Sequence, residues 1–394
     1  MKINLFNDDC LNVLKTMKDN SIDSCVTDPP YGLSFMNKSW DYDVPQKKVW
    51  EEVFRVLKPG AHLLAFFGSR TYHRGVVQIE DAGFEIRDQI MWLYGSGFPK
   101  SHNIGKAIDK EAGAQRKVIG NNKNFGVTRK EDGKNSFGDY KGEWELTEPA
   151  TEAAKQWDGW GTALKPAHEP IVVARKPITQ TVAKNVLEYG TGAINIDDCR
   201  VQFSENDDNR IGKKYTHNAS ADYVVAENKD NSKGDNTELY KFNGRWPANV
   251  IHDGSDEVVS QFPDAPGQLA DLSNHNKSRK SPNGIFGEMG SAADHPKRIE
   301  TNKNASRFFY CAKASKSDRE DGNNHPTVKP TELMKYLCRL VTPPNGIVLD
   351  PFMGSGSTGK AALQEGFKFV GIEMNKEYYE IAQNRLSSLD NFFE

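Results

Sequence analysis

Ser24-Cys25-Val26-Thr27-Asp28-Pro29-Pro30-Tyr31 is the stretch whose reading decides the fold. Ser24 to Val26 is a short run of the kind that fills a buried parallel strand. Two consecutive prolines forbid both strand pairing and the start of a helix, so the strand ends there. An acid, two rigid prolines and an aromatic at a strand terminus supply an acceptor, carbonyls without a competing N–H, and a stacking face. In open α/β folds the carboxyl edge of the sheet is where ligands bind. A proline turn with a solvated Asp28 and a packing Tyr31 fits the same residues, so the flanking sequence must decide between them.

On the N-terminal side, residues 2–6 read as a strand. Asp8 and Asp9 then lead into Leu11, Val13, Leu14 and Met17, a spacing that gathers the apolar side chains on one helical face. On the C-terminal side, residues 46–57 form an amphipathic helix stopped by Lys58-Pro59-Gly60, and residues 61–67 form an apolar strand. A helix over 70–82 and a strand over 85–94 follow. Strands alternating with helices at this interval predict a doubly wound, mostly parallel sheet. The alternation returns at the far end, with a helix over 331–340, a strand at Ile347-Val348-Leu349-Asp350, a helix from 359, a strand over 367–372 and a helix over 377–386. The two ends of the chain read as two halves of one sheet, with the middle inserted between them.

The middle accounts for the composition. At 394 residues the chain exceeds one ordinary core, and 37% hydrophobic residues with a mean hydropathy of -0.69 describe a normal core diluted by polar segments. No apolar run is long enough to span a membrane and residues 1–4 do not begin a signal peptide, so a cytoplasmic protein is expected. Five cysteines without a CxxC pair indicate neither a disulfide framework nor a zinc site; no metal is expected. A net charge of -3 conceals local basic stretches: residues 100–134 carry net +5 and residues 277–319 net +6, the latter interleaved with Phe286, Phe308, Phe309 and Tyr310. Solvated loops or phosphate-contacting surfaces both fit such stretches, and residues 308–310 also fit a buried strand. Residues 105–159 show no usable periodicity.

A second constellation follows the strand that ends at Asp350. Asp350-Pro351-Phe352-Met353-Gly354-Ser355-Gly356-Ser357-Thr358-Gly359 lies between a strand and a helix, where glycines let backbone N–H groups approach a ligand at a helix N-terminus. Glu373, seventeen positions beyond Gly356 and just after the next strand, stands where nucleotide folds place an acid for ribose hydroxyls. Gly354 to Lys360 also satisfies part of a phosphate-binding P-loop. Ala361 replaces the Ser or Thr that would hold magnesium, however, and an acid at Asp350 would repel a triphosphate. An adenosine-type ligand suits the site better.

Together these motifs resemble the beta class of amino DNA methyltransferases, which use S-adenosylmethionine and carry the catalytic tetrapeptide ahead of the cofactor motifs. Asp28, Pro29, Pro30 and Tyr31 look like the catalytic motif, and Asp350 to Gly356 like the cofactor loop. His325-Pro326-Thr327-Val328-Lys329-Pro330 is similar to the family's Asn-Pro-Thr-x-Lys-Pro segment, with His in place of Asn. Asp9 resembles the acid that reaches the cofactor's adenine, and His168-Glu169-Pro170-Ile171 the opening of the last strand. The resemblance implies a Rossmann-like sheet assembled from residues 1–104, 160–177 and 325–394, an insertion at 105–159, and a target recognition region at 178–324. It implies a cofactor set of Asp9, Asp350, Pro351, Phe352, Gly354, Gly356, Thr358, Glu373, Thr327 and Lys329. Lys329 is equally readable as a contact to the methionine carboxylate, a contact to a DNA phosphate, or a plain surface lysine. The implied activity is site-specific methylation of a flipped base in double-stranded DNA, as in restriction–modification systems. Asp at the first motif position favours adenine N6, with cytosine N4 as the alternative. A methyltransferase acting on RNA or a protein amide, and a non-catalytic DNA-binding module, are the competing readings. A cognate restriction endonuclease and a homodimer are partners the resemblance leaves open.

Overall fold

The computed structural model describes residues 2–33, 41–97, 101–122, 144–202, 211–212, 240–241, 244–265, 304–313, 318–320 and 322–390. Residues 123–134 of the first basic stretch, and residues 277–303 and 314–317 of the second with Phe286 among them, lie outside the described residues. The chain divides into two compact units, Ser96–Ala167 and the remainder.

The larger unit begins β1 (Ile3–Phe6), α1 (Cys10–Thr16), β2 (Ile22–Thr27), α2 (Lys47–Val56), β3 (Leu57–Phe66), α3 (Tyr72–Asp81) and β4 (Glu85–Leu93). The smaller unit holds α4 (Ile104–Glu111), β5 (Lys117–Asn122), β6 (Trp144–Glu148) and α5 (Glu152–Gln156). The larger unit resumes with β7 (His168–Arg175), α6 (Val182–Tyr189), the short strands β8 (Ile211–Gly212) and β9 (Tyr240–Lys241), β10 (Val250–His252), α7 (Asp256–Val259) and β11 (Tyr310–Cys311). It closes with α8 (Thr331–Val341), β12 (Ile347–Asp350), α9 (Ser357–Gln364), β13 (Lys368–Ile372) and α10 (Lys376–Asp390).

Among the described residues, nine strands form one sheet in the order β1-β13-β12-β2-β3-β7-β4-β10-β11. Every pairing is parallel except those of β7, which runs antiparallel between β3 and β4. The C-terminal strands β12 and β13 thus sit between β1 and β2 and join the two chain ends in one sheet, as expected, but β10 and β11, from within residues 178–324, extend the same sheet beyond β4. Alternation along the central strands sends successive side chains into two separate cores. Val26, Leu64, Phe66 and Val348 pack on one side with Leu333, Leu337, Ala361 and Leu386 from α8, α9 and α10. Cys25, Leu63, Ala65 and Leu349 pack on the other with Leu14, Val49, Trp50, Val53 and Ile79 from α1, α2 and α3. Each of the larger aliphatic and aromatic side chains stabilises the fold by about 1.5–3 kcal/mol when fully buried. A sheet covered on both faces is what leaves all of β2 buried, its polar Asp23, Ser24 and Thr27 included.

The start of β3 differs from the sequence expectation. Lys58-Pro59-Gly60 does not separate helix from strand; β3 begins at Leu57 and includes these residues. Gly60 takes φ +80° with Asn185 so close that a Cβ would come within 2.4 Å of its Nδ2. The Pro59 carbonyl accepts from Asn185 Nδ2 at 2.9 Å and from the Thr191 hydroxyl at 2.6 Å. The β2–β3 register shifts opposite this point, between Ile22 and Ser24, so the missing proline N–H falls at an irregularity. No helix among the described residues is long and apolar enough to cross a membrane.

Residues 105–159 show no usable periodicity in the sequence, yet two helices and an antiparallel strand pair lie within the smaller unit. Its organising group is Asp109, buried to 1% exposure. Its carboxylate accepts from the backbone N–H groups of Ala150 and Thr151, both at 3.0 Å, from the Thr151 hydroxyl at 2.8 Å and from Arg116 Nη1 at 2.6 Å. Burial alone would raise this carboxyl, but these donors together hold it down to about 2. An acid with a depressed folded-state pKa contributes stability that is complete above the ordinary aspartate value of about 4 and is lost as pH falls through the folded value. Amide exchange, corrected for intrinsic rates, should show protection in β5, β6 and residues 150–151 falling as pH drops from about 4 to 2. Asp109→Asn should show the reduced protection already at neutral pH; protection in the wild type that stays level across the acid range would contradict this role.

Candidate active site

The strand order reverses between β12 and β2: from β12 the chain adds strands on one side of the sheet, and from β2 on the other. Such a switch point opens a crevice outside the carboxyl ends of the strands. One side-chain hydrogen bond joins the two strands there, and a second ties β2 to the end of α8. The Thr27 hydroxyl donates to Asp350 Oδ1 at 2.7 Å, and Ser24 and Thr342 share a buried contact of 2.8 Å. Asp350 Oδ1 also accepts from Phe352 N at 3.1 Å. Its carboxylate, 1% exposed, therefore faces into the fold and holds the loop after β12 against β2. Burial pushes this carboxyl up to about 6 despite the Thr27, Thr358 and Phe352 donors.

Beyond Thr27 the chain leaves the sheet and places Asp28 and Tyr31 side by side. The Tyr31 hydroxyl lies 2.7 Å from Asp28 Oδ1 and 3.0 Å from Glu169 Oε2. Lys329 Nζ lies 2.6 Å from Asp28 Oδ2, 3.2 Å from Glu169 Oε2 and 3.2 Å from the Tyr31 oxygen. The Tyr31 and Phe66 rings flank the ammonium, with centroids 5.5 Å and 5.0 Å away. Lys329 is 7% exposed, so it is not a surface lysine, and its partners are carboxylates of the site. Burial alone would lower its pKa, but Asp28 and Glu169 raise it well above the ordinary value, keeping it charged. The same burial and the same two carboxylates push the Tyr31 phenol well above its usual range, so the hydroxyl keeps its proton and donates.

Glu169 and Asp41 belong to this site, although neither is among the candidates taken from the sequence. Glu169 arrives because β7 is antiparallel: its first residues lie at the edge where the parallel strands end, and Phe67 N donates to the Pro170 carbonyl at 3.0 Å. A strand-opening acid opposite the end of β3 was the available signal. Asp41, 2% exposed, accepts from Tyr31 N at 2.6 Å, Gly32 N at 3.0 Å and Leu33 N at 3.2 Å. It thereby fixes the turn that leaves two prolines behind, where the backbone has few donors of its own to anchor it. Asp41, between Trp40 and Tyr42 and two residues before Asp43, offers no periodicity by which to single it out.

The glycine loop lies beside this group. Gly354 has φ +54°, and a Cβ there would meet His325 Nε2 at 2.9 Å, so only glycine fits. Its N–H donates to Glu373 Oε2 at 2.8 Å, while Asn375 N donates to Glu373 Oε1 at 2.7 Å. Burial raises the Glu373 carboxyl against the pull of those backbone donors. With both oxygens oriented and lone pairs remaining, Glu373 can accept from two neighbouring hydroxyls. Gly356 caps α9 in the left-handed region; Pro351 and Thr358 are buried, and Phe352 packs near Trp50 with ring centroids 6.2 Å apart. Asp9, at the carboxyl end of β1, caps α1 by accepting from Leu11 N at 2.9 Å. Thr327 is exposed, with its N–H donating to His325 Nδ1 at 3.3 Å. The structure therefore gathers Asp350, Pro351, Phe352, Gly354, Gly356, Thr358, Glu373 and Asp9 along one end of the sheet. Lys329 lies against Asp28 and Glu169. An acid with both oxygens oriented by backbone donors, beside a glycine turn, fits an adenosine-type methyl donor. The inward-facing Asp350 and the absence of a metal-holding hydroxyl at Ala361 do not fit a triphosphate.

The N6_N4_Mtase family, described as DNA methylase, matches residues 22–384. DNA adenine methyltransferase YhdJ of Escherichia coli K12 is 42% identical over 73 residues, which are 18% of this chain and 25% of that protein. Type II methyltransferase M2.LlaDCHI of Lactococcus lactis subsp. cremoris is 41% identical over 73 residues, 18% of this chain and 27% of that protein. These two matches thus span about a quarter of the length of each relative. Type II methyltransferase M.HindIII of Haemophilus influenzae is 24% identical over 426 residues, covering 97% of this chain and 94% of that protein. Among solved structures, the M1.HpyAVI–SAM complex has a TM-score of 0.41 at 15% identity, covering 98% of both chains. PvuII DNA methyltransferase, titled cytosine-N4-specific, has a TM-score of 0.43 at 14% identity, covering 99% of this chain and 91% of that one. S-adenosylmethionine is the methyl donor of this family. With a strand-end Asp-Pro-Pro-Tyr turn, a glycine loop with its acid, and a family match that runs through both, the chain belongs to the N6_N4_Mtase family of DNA methylases.

Proposed function

We propose that the protein methylates the exocyclic N6 of an adenine flipped out of double-stranded DNA at a specific sequence. The observation that carries this reading is the Asp28 carboxylate, held by Lys329 and Tyr31 at the switch point beside the Gly354–Glu373 loop.

S-adenosylmethionine supplies a methyl group on a sulfonium, so little acid–base power is needed from the protein. What is needed is a nitrogen lone pair aimed at the methyl carbon. The amine of adenine is conjugated into its ring, and acceptors that hold both hydrogens favour a tetrahedral nitrogen with its lone pair free. Asp28 and the Pro29 carbonyl are such acceptors, and a proline carbonyl has no N–H of its own residue competing nearby. Flipping the base costs a few kcal/mol, and stacking on the Tyr31 face returns about 1–3 kcal/mol. The Tyr31 hydroxyl bonds fix the ring, so little side-chain entropy is spent when the base arrives. Asp at the first position of the tetrapeptide supports adenine over cytosine, and YhdJ carries adenine in its name. The basic, aromatic-rich stretch at 277–319 supports a DNA surface.

Methylated plasmid DNA digested to nucleosides should contain N6-methyladenine by mass spectrometry; N4-methylcytosine alone would overturn the adenine assignment. Asp28→Ala should lower kcat by about 10²–10³, as loss of a transition-state hydrogen-bond partner does elsewhere, while calorimetry shows S-adenosylmethionine affinity unchanged. Loss of that affinity would place Asp28 in the cofactor site. Asp41→Ala should slow kcat by roughly tenfold without altering cofactor affinity, with partial rescue in Asp41→Asn, which keeps one acceptor for the 31–33 turn.

A further inference from the structure

Lys329 has three ammonium protons and three partners, and the partners are unequal. Asp28 Oδ2 is close at 2.6 Å, whereas Glu169 Oε2 and the Tyr31 oxygen are each at 3.2 Å. The Tyr31 oxygen is the only uncharged partner of the three, and the hydroxyl that carries it already donates toward carboxylates at 2.7 Å and 3.0 Å. The proton directed at Tyr31 is therefore the one most readily turned to an incoming acceptor. A donor and an acceptor thus stand next to each other in the site, the ammonium of Lys329 beside the carboxylate of Asp28.

That pairing matches a particular chemical edge. On the Watson–Crick edge of adenine, the N6 amine donates and the adjoining ring nitrogen N1 accepts, both bonded to one carbon. Cytosine offers the same arrangement through N4 and N3. Guanine and thymine carry a hydrogen on the corresponding ring nitrogen beside an exocyclic oxygen, which reverses both roles. We infer that Lys329 is the specificity residue of the reaction: it donates to the ring nitrogen adjacent to the amine that Asp28 accepts, so the pair admits an amine–imine edge and rejects a lactam edge. Glu169 serves this by holding the ammonium in place through its second proton. The carboxylates keep Lys329 charged, and a charged donor penalises a ring N–H that faces it without a partner. This inference rests on the proposed methylation of a nucleobase amine and adds the group that recognises the base.

The test uses duplex oligonucleotides containing the sequence that the wild-type protein modifies in plasmid DNA, with the target adenine replaced by 1-deazaadenine or 3-deazaadenine. The first removes the ring acceptor at N1; the second removes a ring nitrogen on another edge. Wild-type kcat/KM should fall about ten- to a hundredfold for 1-deazaadenine, the worth of a hydrogen bond from a charged donor, and far less for 3-deazaadenine. In Lys329→Met, adenine should be methylated as poorly as 1-deazaadenine, so removal of N1 costs nothing further; Lys329→Gln, which keeps a neutral donor, should fall between. Equal wild-type rates on the two analogues, or the same N1 penalty in Lys329→Met as in the wild type, would overturn the inference. If Lys329→Met fails to bind S-adenosylmethionine by calorimetry, the ratio of the two analogues in the wild type decides alone. If the modified base is cytosine, 3-deazacytosine replaces 1-deazaadenine and the same comparison holds. Absence of wild-type transfer to any unmodified duplex would overturn the proposed function, and this inference with it.

Discussion

The parallel pairing of β2 with β12 is the constraint on which the rest of the molecule depends. Val348 and Leu349 lie opposite Ser24 and Cys25, joining segments more than 300 residues apart. Closing so long a loop costs conformational entropy, although the cost grows only logarithmically with loop length. What offsets it is burial on both faces: Val26 and Val348 enter one core, Cys25 and Leu349 the other. Asp23 adds a polar tie across the same junction, accepting from Ile347 N at 2.8 Å and pairing with Lys58 at 2.5 Å. Because this junction is also where strand order reverses, the pairing that unites the chain ends creates the crevice that holds the site.

The site's charge follows from that placement. Two carboxylates, Asp28 and Glu169, converge on one ammonium in a setting where Lys329 is almost fully buried. A buried ion pair contributes little net stability, because desolvation consumes much of the attraction. The arrangement is better understood as preorganisation: the acceptor on Asp28 is aimed before a base arrives, so no reorganisation is needed at the moment of reaction. Asp350 works from the opposite strand in the same sense, spending its carboxylate on Thr27 and the Phe352 backbone so that the glycine loop is held at the sheet edge.

The strands and helices of both chain ends were legible in the sequence, because each is a short apolar run or a period-3.6 pattern bounded by proline, glycine or an acid. The exceptions have local causes. Lys58-Pro59-Gly60 reads as a break, yet Asn185 and Thr191 satisfy the Pro59 carbonyl from elsewhere in the chain and the strand runs through it. The smaller unit is organised by Asp109, whose partners Arg116, Ala150 and Thr151 form a polar cluster with no hydrophobic period. Within the site, Asp28, Tyr31, Gly354 and Glu373 were legible because strand ends and glycine spacing mark them. Glu169 and the position of Lys329 were not, since both depend on the antiparallel direction of β7 and on a contact between residues 28 and 329. Such contacts are properties of the assembled sheet.

A crystal structure with S-adenosylmethionine and a duplex containing the modified sequence tests the central claim most directly. The account predicts the cofactor against Gly354 and Glu373, its methyl carbon about 3–3.5 Å from an exocyclic nitrogen whose hydrogens face Asp28 and the Pro29 carbonyl. A cofactor seated away from the β12 loop, or a target amine turned from Asp28, would contradict it.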